Sequence, residues 1–251
     1  MEIKWITLIN YGYIEYTKNF LKSIEVNKVK DFRLVIYCIN NKEKIEEELG
    51  EYKNIECVDA KVFLEEKEYT DKFTLYESTE YKKIVFAKLD AIKYTLKKNK
   101  ENMVGYIDMD IVLFRNPSEI IEEEIKLYPE YDVYSQCDES KVCRDKFNCR
   151  KICSGLCVFR NREEIYKCLE YNVEEINNYM DDQHNLLEKL NKYGMKHITI
   201  DKNIFINGSY RYIYRKDTQV EFPKNKCAVH YNFIVGNEKI HRMKVQKMWY
   251  I

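Results

Sequence analysis

Glycine, proline and long apolar runs are scarce in this chain. Its 251 residues include only 7 glycines and 3 prolines, which excludes collagen-like repeats and long flexible or proline-rich linkers. No apolar run approaches the roughly 18 residues of a membrane-spanning helix, and residues 1–5 lack the apolar core of a signal peptide. We therefore expect no membrane span and a cytoplasmic location. If the Lys-, Ile- and Asn-rich composition reflects a viral genome, the location would be the cytoplasm of the host cell.

An excess of charge of either sign is also absent. The chain has 42 Lys and Arg residues and 42 Asp and Glu residues, so its formal net charge is zero. Without a global basic field, we expect binding neither to nucleic acid nor to an anionic membrane surface. Any electrostatic attraction of a ligand must come from local groups of residues.

Nine cysteines are present, an odd number, and they occur in apolar segments as well as in one grouped stretch. This distribution favours reduced thiols in a reducing compartment over the disulfide framework of a secreted protein. The grouped cysteines have five, five, three and three residues between them and match no C-x₂-C zinc pattern: Cys137, Cys143, Cys149, Cys153 and Cys157. Structural zinc at this cluster is the less favoured interpretation and stays open.

Continuous apolar runs and amphipathic helices alternate through the first half of the chain. Ile3–Ile9 and residues 32–39 are β-prone runs separated by a helical pattern, and residues 55–58 form a third short run. Because these runs are apolar throughout, they predict strands covered on both faces, as in parallel sheets. From Tyr81 onward an apolar stripe at helical spacing borders Lys88 and precedes the next apolar run. We therefore predict an α/β fold with a mostly parallel central sheet flanked by helices.

The apolar run over residues 104–114 contains Asp108 and Asp110. If the run is one strand, both carboxylates point the same way, because strand side chains alternate between the two faces. The two charges would repel each other unless a cation lay between them, and carboxylate oxygens suit Mg²⁺ or Mn²⁺. Open α/β sheets bind ligands beyond the carboxyl ends of their strands. The pattern favours a metal–diphosphate site over the alternative, a turn with two solvated aspartates.

The second half of the chain is predicted to contain shorter elements. Ser154 and Gly155 open a strand whose small first residues let another molecule approach the backbone. A helix is predicted to begin at Asn161 and to bury Val173 and Ile176 on its inner face.

Asp181 is predicted to cap a further helix. Asp182 would then lie in the first turn, where the positive end of the helix favours the ionised carboxylate. Beyond this helix, Gly236 precedes a basic segment and can bring backbone N–H groups near an anion. Between this helix and Gly236, short strands and loops are predicted at residues 198–200, 204–208 and 228–232.

Together these segments resemble the nucleotide-diphospho-sugar transferases of the GT-A fold, in particular a family with an apolar D-x-D strand ending in Asn-Pro. The likeness covers most of the chain. The matching parts are residues 7–13, the Lys88 helix, residues 108–117, Ser154-Gly155, Arg160-Asn161, Asp182-Gln183, residues 205–208, His230-Tyr231-Asn232, Gly236 and Lys239. A D-x-D alone is a weak signal, but these parts in this order are fairly specific.

The resemblance implies a Rossmann-like fold and a set of site residues. The chain would form one domain over residues 1–251, with a nucleotide-binding half at 1–117 and a smaller half at 118–251 for the donor sugar and the acceptor. Asp108, Asp110 and His230 would bind a divalent metal, Mn²⁺ or Mg²⁺. The residues near the nucleotide and its diphosphate would be Thr7, Asn10, Tyr11, Tyr13, Lys88, Asp108, Met109, Gly236 and Lys239. Asp182 and Gln183 would be the catalytic pair that meets the donor sugar, and the acceptor and sugar side would include Ser154, Gly155, Asn207 and Gly208.

The implied function is transfer of a sugar from a nucleotide diphosphate to a hydroxyl of a glycan, protein or lipid-linked saccharide, with retention of configuration. UDP is the default nucleotide and GDP stays open. Breaking the sugar–phosphate bond places negative charge on the leaving diphosphate, which a metal and cationic side chains stabilise. The anomeric carbon becomes cation-like, so a carboxylate such as Asp182 can stabilise it or position the acceptor hydroxyl.

Two other functions fit parts of the sequence. Asp108-Met109-Asp110 also matches the motif of haloacid-dehalogenase-like phosphohydrolases, in which the first Asp is the nucleophile, although about a hundred residues precede it here instead of one strand. A non-catalytic nucleotide-sugar-binding module is the third possibility. Five residues separate His230 from Gly236, more than in related families, so the phosphate roles of Gly236 and Lys239 stay open.

Overall fold

The computed structural model describes residues 2–64, 69–99, 103–139, 151–179 and 181–251, together with Phe147 and Cys149. Ten strands occur in these residues: β1 (Ile3–Ile9), β2 (Leu34–Cys38), β3 (Ile55–Asp59), β4 (Met103–Ile107), β5 (Ile111–Leu113), β6 (Val133–Cys137), β7 (Ile152–Phe159), β8 (His197–Ile200), β9 (Phe205–Ile206) and β10 (Ala228–His230). Eight α-helices accompany them: α1 (Ile14–Val26), α2 (Lys42–Leu49), α3 (Thr79–Lys98), α4 (Pro117–Leu127), α5 (Glu163–Cys168), α6 (Val173–Asn178), α7 (Asp182–Lys192) and α8 (Asn237–Val245).

Seven of the strands form the central sheet, in the order β3-β2-β1-β4-β7-β6-β8. Only β7 in this sheet runs antiparallel to its neighbours, β4 and β6. The mostly parallel sheet predicted from the continuous apolar runs is therefore confirmed. A second sheet of three short strands has the order β5-β10-β9.

Both faces of the central sheet are covered. On β1, Trp5 and Ile9 belong to the apolar cluster that includes residues of α1, α2 and the second sheet, whereas Ile6 and Leu8 belong to the cluster with α3, α5 and α7. This division follows from the alternation of strand side chains between the two faces. Each fully buried large apolar side chain stabilises the fold by about 1.5–3 kcal/mol. The two clusters together therefore hold the central sheet in place, and the site residues project from one edge of it.

The D-x-D segment is not one continuous strand, which corrects the prediction. β4 ends at Ile107, a turn holds Asp108 and Asp110, and β5 continues in the second sheet by pairing with β10. The turn is held at both ends, because the Asp108 amide donates to the Gly155 carbonyl at 2.7 Å and the Tyr231 amide donates to the Asp110 carbonyl at 3.1 Å. The aspartates still lie at the carboxyl end of a sheet strand, as expected.

The single helix predicted from Asn161 through Ile176 is wrong, because α5 and α6 are separate. Asn172 forms a capping box with Glu175 and so starts a new helix, and Val173 is 68% exposed instead of buried. The predicted cap, Asn161, instead donates its side-chain amide to carbonyls at the end of α3.

The eight cysteines in the described part of the chain are free thiols. Cys143 lies outside the described residues, so the cysteine cluster is seen only in part. Among the described residues, no cysteine belongs to a group of three potential metal ligands. In the same part of the chain, none of the helices has the length and apolar character needed to cross a membrane.

Candidate active site

A cavity of about 400 Å³ lies at the carboxyl edge of the central sheet. Its lining comes from the ends of β1, β4, β6 and β10 and from the amino end of the antiparallel β7. It collects twelve residues that the sequence singled out: Tyr13, Lys88, Asp108, Met109, Asp110, Ser154, Gly155, Asp182, Gln183, His230, Gly236 and Lys239. Segments far apart in the chain therefore meet at one concave site.

Asp108, Asp110 and His230 form a group of three potential metal ligands, with one ligand atom of each within 4.8 Å of the others. His230 Nε2 lies 3.0 Å from Asp110 Oδ1 and 3.7 Å from Asp108 Oδ2. Two carboxylates and one imidazole are a donor set that suits Mn²⁺ or Mg²⁺ when waters or substrate phosphates complete the coordination. These three side chains are the residues that could hold the metal.

Gly155 has no side chain, and two of the potential metal ligands occupy the space that a side chain at this position would fill. A Cβ at this position would lie 2.1 Å from Asp108 Oδ2 and 2.6 Å from His230 Cε1. Any larger residue would therefore push the ligands apart. The glycine was singled out for a close approach of another molecule, and the structure shows that the close neighbours are Asp108 and His230.

Lys239 from α8 pairs with Asp110. Burial alone would raise the pKa of Asp110, but Lys239 and His230 outweigh it and hold this pKa well below its ordinary value. Asp110 is therefore ionised, as a metal ligand must be. Lys239, its ion-pair partner, lies next to the metal ligands.

Lys88 and Asp182 form a buried ion pair on another wall of the cavity. Lys88 Nζ lies 3.0 Å from Asp182 Oδ2 and donates to Ser154 Oγ at 2.8 Å, and both charged residues are at most 5% exposed. Burial raises the pKa of Asp182 to about 6, although Lys88 acts in the opposite direction. Desolvation therefore outweighs the positive helix end, which favours the ionised form of Asp182. Asp181 caps α7 as predicted, accepting from the His184 amide.

Asp138 is a site residue that the sequence analysis missed. It follows β6, lines the cavity and accepts hydrogen bonds from Gln183 Nε2 at 2.9 Å and Asn232 Nδ2 at 2.5 Å. Burial raises the pKa of Asp138 to about 6. The available signal was its position directly after a short apolar strand, the same position that Asp108 has after β4.

The comparison with known proteins decides the family. A family profile described as nucleotide-diphospho-sugar transferase matches residues 49–243, which is 195 of the 251 residues. The chain belongs to this family. Membership favours sugar transfer over the phosphohydrolase and the non-catalytic module.

A curated relative and two solved structures show how this transferase compares. The UDP-galactose:fucoside alpha-3-galactosyltransferase of Dictyostelium discoideum is 24% identical over 294 aligned positions, covering 99% of this chain but 43% of the relative. The chain thus spans less than half the length of that relative. The galactosyltransferase LgtC, solved with donor and acceptor sugar analogues, superposes with a TM-score of 0.55 at 12% identity, over 91% of this chain and 87% of LgtC. A glycosyltransferase involved in glycosylation of the major capsid of PBCV-1 also has a TM-score of 0.55 at 12% identity, over 97% and 98% of the two chains.

These structural likenesses establish the GT-A fold of the transferase. They agree with the seven-stranded central sheet and with a ligand cavity at its carboxyl edge. Because both identities are below 15%, they carry no information on donor or acceptor.

Five predicted site residues of the transferase are not part of the cavity lining. Asn10 is buried and donates its side-chain amide to the Thr70 and Lys72 carbonyls at 2.8 and 2.9 Å, which holds the segment that leads to the cavity. The Tyr11 hydroxyl donates to Glu48. The other three, Thr7, Asn207 and Gly208, are buried.

Tyr13 and Gly236 do line the cavity. The hydroxyl of Tyr13 lies 3.2 Å from Thr74 Oγ1, and burial raises the pKa of Tyr13 to about 12, so the phenol stays neutral. Gly236 precedes α8 with a φ of +60°, a conformation that glycine adopts at little cost. This turn directs the start of α8, and with it Lys239, toward Asp110.

Proposed function

We propose that this transferase moves a sugar from a UDP-linked donor to a hydroxyl of a glycan, protein or lipid-linked saccharide, with Mn²⁺ or Mg²⁺ as cofactor. The observation that carries the proposal is the convergence of Asp108, Asp110 and His230 on the cavity that Asp182 and Gln183 also line. UDP is supported by the name of the Dictyostelium discoideum relative, which specifies UDP-galactose. GDP is the alternative nucleotide.

We call Asp108, Asp110, His230 and Lys239 the metal end of the cavity. A bound divalent cation would neutralise the charge that develops on the leaving diphosphate. The Lys239 ammonium adds a second positive charge beside Asp110, and the backbone N–H groups at the start of α8 add partial positive charge for phosphate oxygens. This end of the site therefore binds and stabilises the leaving group.

We call Asp138, Asp182 and Gln183 the sugar end. Lys88 and Ser154 hold Asp182 in place, so its carboxylate is positioned to stabilise a cation-like anomeric carbon or to orient the donor hydroxyls. Gln183 is held by Asp138, whose carboxyl can accept a proton from a hydroxyl near neutral pH because of its raised pKa. We propose retention of anomeric configuration. We also propose that residues 1–117 mainly bind the nucleotide and residues 118–251 mainly bind the sugars, with His230 and Lys239 of the second half reaching the diphosphate.

A panel of UDP- and GDP-sugars, each tested with and without Mn²⁺, is the direct experiment. A ligand that binds only the folded protein raises its melting temperature, so we expect one donor to raise it in the presence of Mn²⁺ and not in its absence. Slow hydrolysis of that same donor should follow. If no nucleotide sugar raises the melting temperature under either condition, the proposal is wrong.

The anomeric outcome requires a separate measurement. Proton NMR of the product formed from an α-linked donor should first show the α-anomer if configuration is retained. A first product with the β-configuration would contradict retention while leaving the transferase assignment intact.

A further inference from the structure

Gln136 is a fully buried polar residue on β6, directly before the candidate site. Its side chain connects the two sheets of the protein. Gln136 Nε2 donates to the Ile206 carbonyl on β9 at 2.9 Å, and Gln136 Oε1 lies 2.8 Å from His230 Nδ1 on β10. Gln136 is not part of the cavity lining, so it can act on the site only through His230.

The orientation of the Gln136 amide follows from its other partner. The Ile206 carbonyl can only accept a hydrogen bond, so the NH₂ group of Gln136 must face it. The amide oxygen is then left for His230, and because an oxygen only accepts, His230 Nδ1 must carry the proton. Nε2 is then the nitrogen that faces Asp110 Oδ1 at 3.0 Å and Asp108 Oδ2 at 3.7 Å, so it is the one that can bind a cation held between these carboxylates.

We propose that Gln136 is a positioning residue of the metal end: by accepting a hydrogen bond from Nδ1 it holds the His230 ring so that Nε2 faces the cation site between Asp108 and Asp110. This inference rests on the proposed metal role of His230. A hydrogen bond to the distal nitrogen of a metal-binding histidine commonly contributes about 10–100-fold to metal affinity. His230 is 2% exposed, so in Gln136→Leu water has little access to replace the lost acceptor, and Cys153 Sγ, which lies 3.5 Å from Nδ1, is only a weak acceptor.

The chain offers a matched control in Gln246. This glutamine is also buried and also bridges two backbone groups, because its Oε1 accepts from the Val220 amide at 2.7 Å and its Nε2 donates to the Thr218 carbonyl at 2.9 Å. It makes no contact with His230 among these bonds. Gln246→Leu should therefore reproduce the loss of two buried hydrogen bonds without changing the metal end.

Two readouts that do not involve turnover test the inference. The first is the Mn²⁺ affinity, measured by electron paramagnetic resonance with and without UDP, which we expect to fall about 10–100-fold in Gln136→Leu and to stay near the wild-type value in Gln246→Leu. The second is proton NMR of the His230 Nδ1–H in protein saturated with diamagnetic Mg²⁺. We expect a slowly exchanging, downfield-shifted Nδ1–H signal in the wild type and in Gln246→Leu, and its loss to rapid exchange in Gln136→Leu, where the acceptor is missing.

Gln136→Glu separates the hydrogen bond from the packing. Its carboxylate still accepts from Nδ1 but loses the donor to Ile206, so the protected Nδ1–H signal and most of the Mn²⁺ affinity should be retained even if the fold is less stable. An unchanged Nδ1–H signal and unchanged affinity in Gln136→Leu, with Mn²⁺ binding lost in Asp110→Ala, would overturn the inference and leave the proposed function standing. Absence of Mn²⁺ binding in the wild-type protein would overturn both.

Discussion

The metal end and the sugar end of the cavity both contain partly or fully buried carboxyl groups, but their environments shift the carboxyl pKa values in opposite directions. At the metal end, Lys239 and His230 lower the pKa of Asp110 despite its burial. At the sugar end, burial raises the pKa values of Asp182 and Asp138 to about 6, even though Lys88 is paired with Asp182. One end therefore keeps its carboxylate ionised for a cation, and the other has carboxyls that can gain or lose a proton near neutral pH.

The largest effect is expected where the sugar end depends on a single cation. Lys88→Met leaves the buried Asp182 without its partner, and removal of one member of a buried ion pair costs about 3–5 kcal/mol of folding free energy. Urea denaturation at neutral pH measures this loss. The double variant Lys88→Met/Asp182→Leu should recover much of it, because no unpaired charge remains. Equal stability of wild type and Lys88→Met would show that the pair does not hold the sugar end together.

At the metal end, the largest effect is expected from Gly155→Ala. The new methyl group would overlap Asp108 and His230, so we expect the Mn²⁺ affinity to fall by about 100-fold, the upper part of the range for disturbed metal sites. Gly105→Ala is the matched control, since its Cβ would clash with the Trp5 ring at 2.5 Å inside the same sheet. Both variants should be destabilised, but only Gly155→Ala should lose metal affinity in calorimetry. A similar loss in both would mean that the close packing at Gly155 is not specific to the metal ligands.

The raised pKa of Asp138 at the sugar end should make the free energy of unfolding depend on pH near neutrality. The pKa of Asp138 is about 6 in the folded protein and about 3.9 when unfolded, so its contribution to stability is fully present below the unfolded value and is lost as pH rises through about 6. A shift of this size corresponds to about 3 kcal/mol. Asp138→Asn should therefore gain stability over the wild type between about pH 4.5 and pH 7, as measured by urea denaturation. A stability difference that is independent of pH would contradict the raised pKa.

The smallest effect is expected from Lys239, which links the metal end to the diphosphate. In Lys239→Met, Asp110 loses a competing cation, so Mn²⁺ alone should bind as well as or better than in the wild type. UDP in the presence of Mn²⁺ should bind about tenfold more weakly, because one charge-assisted contact of roughly 1.5 kcal/mol is lost. A parallel weakening of both ligands would indicate that Lys239 supports the metal ligands instead of the phosphates.

Much of the fold follows from patterns that act locally along the chain. Continuous apolar runs identified β1, β2 and β4 as covered strands, and the stripe from Tyr81 predicted most of α3. The structure of the D-x-D segment was harder to predict, because an apolar run does not show which other strand it pairs with. The change from the central sheet at Ile107 to the second sheet at Ile111 depends on Gly155 and on β10, both distant in sequence.

The candidate site shows the same limit. Asp108, Asp110 and His230 could be proposed because spacing and family resemblance singled them out, and the structure brings them together. Gln136 could not, since nothing sets it apart from the other polar residue of β6, and Asp138 offered only its position directly after that strand. Their importance comes from tertiary contacts with Gln183 and His230, which no local pattern records.

Calorimetric titration of UDP into wild-type and Asp110→Ala protein, each with and without Mn²⁺, tests the central claim most directly. The wild type should bind UDP at least about 100-fold more tightly with Mn²⁺ than without it, as expected when a metal bridges protein and diphosphate. Asp110→Ala should fold normally and bind UDP equally weakly under both conditions. Metal-dependent UDP binding that survives in Asp110→Ala would contradict the assignment of this aspartate, and with it the metal end of the site.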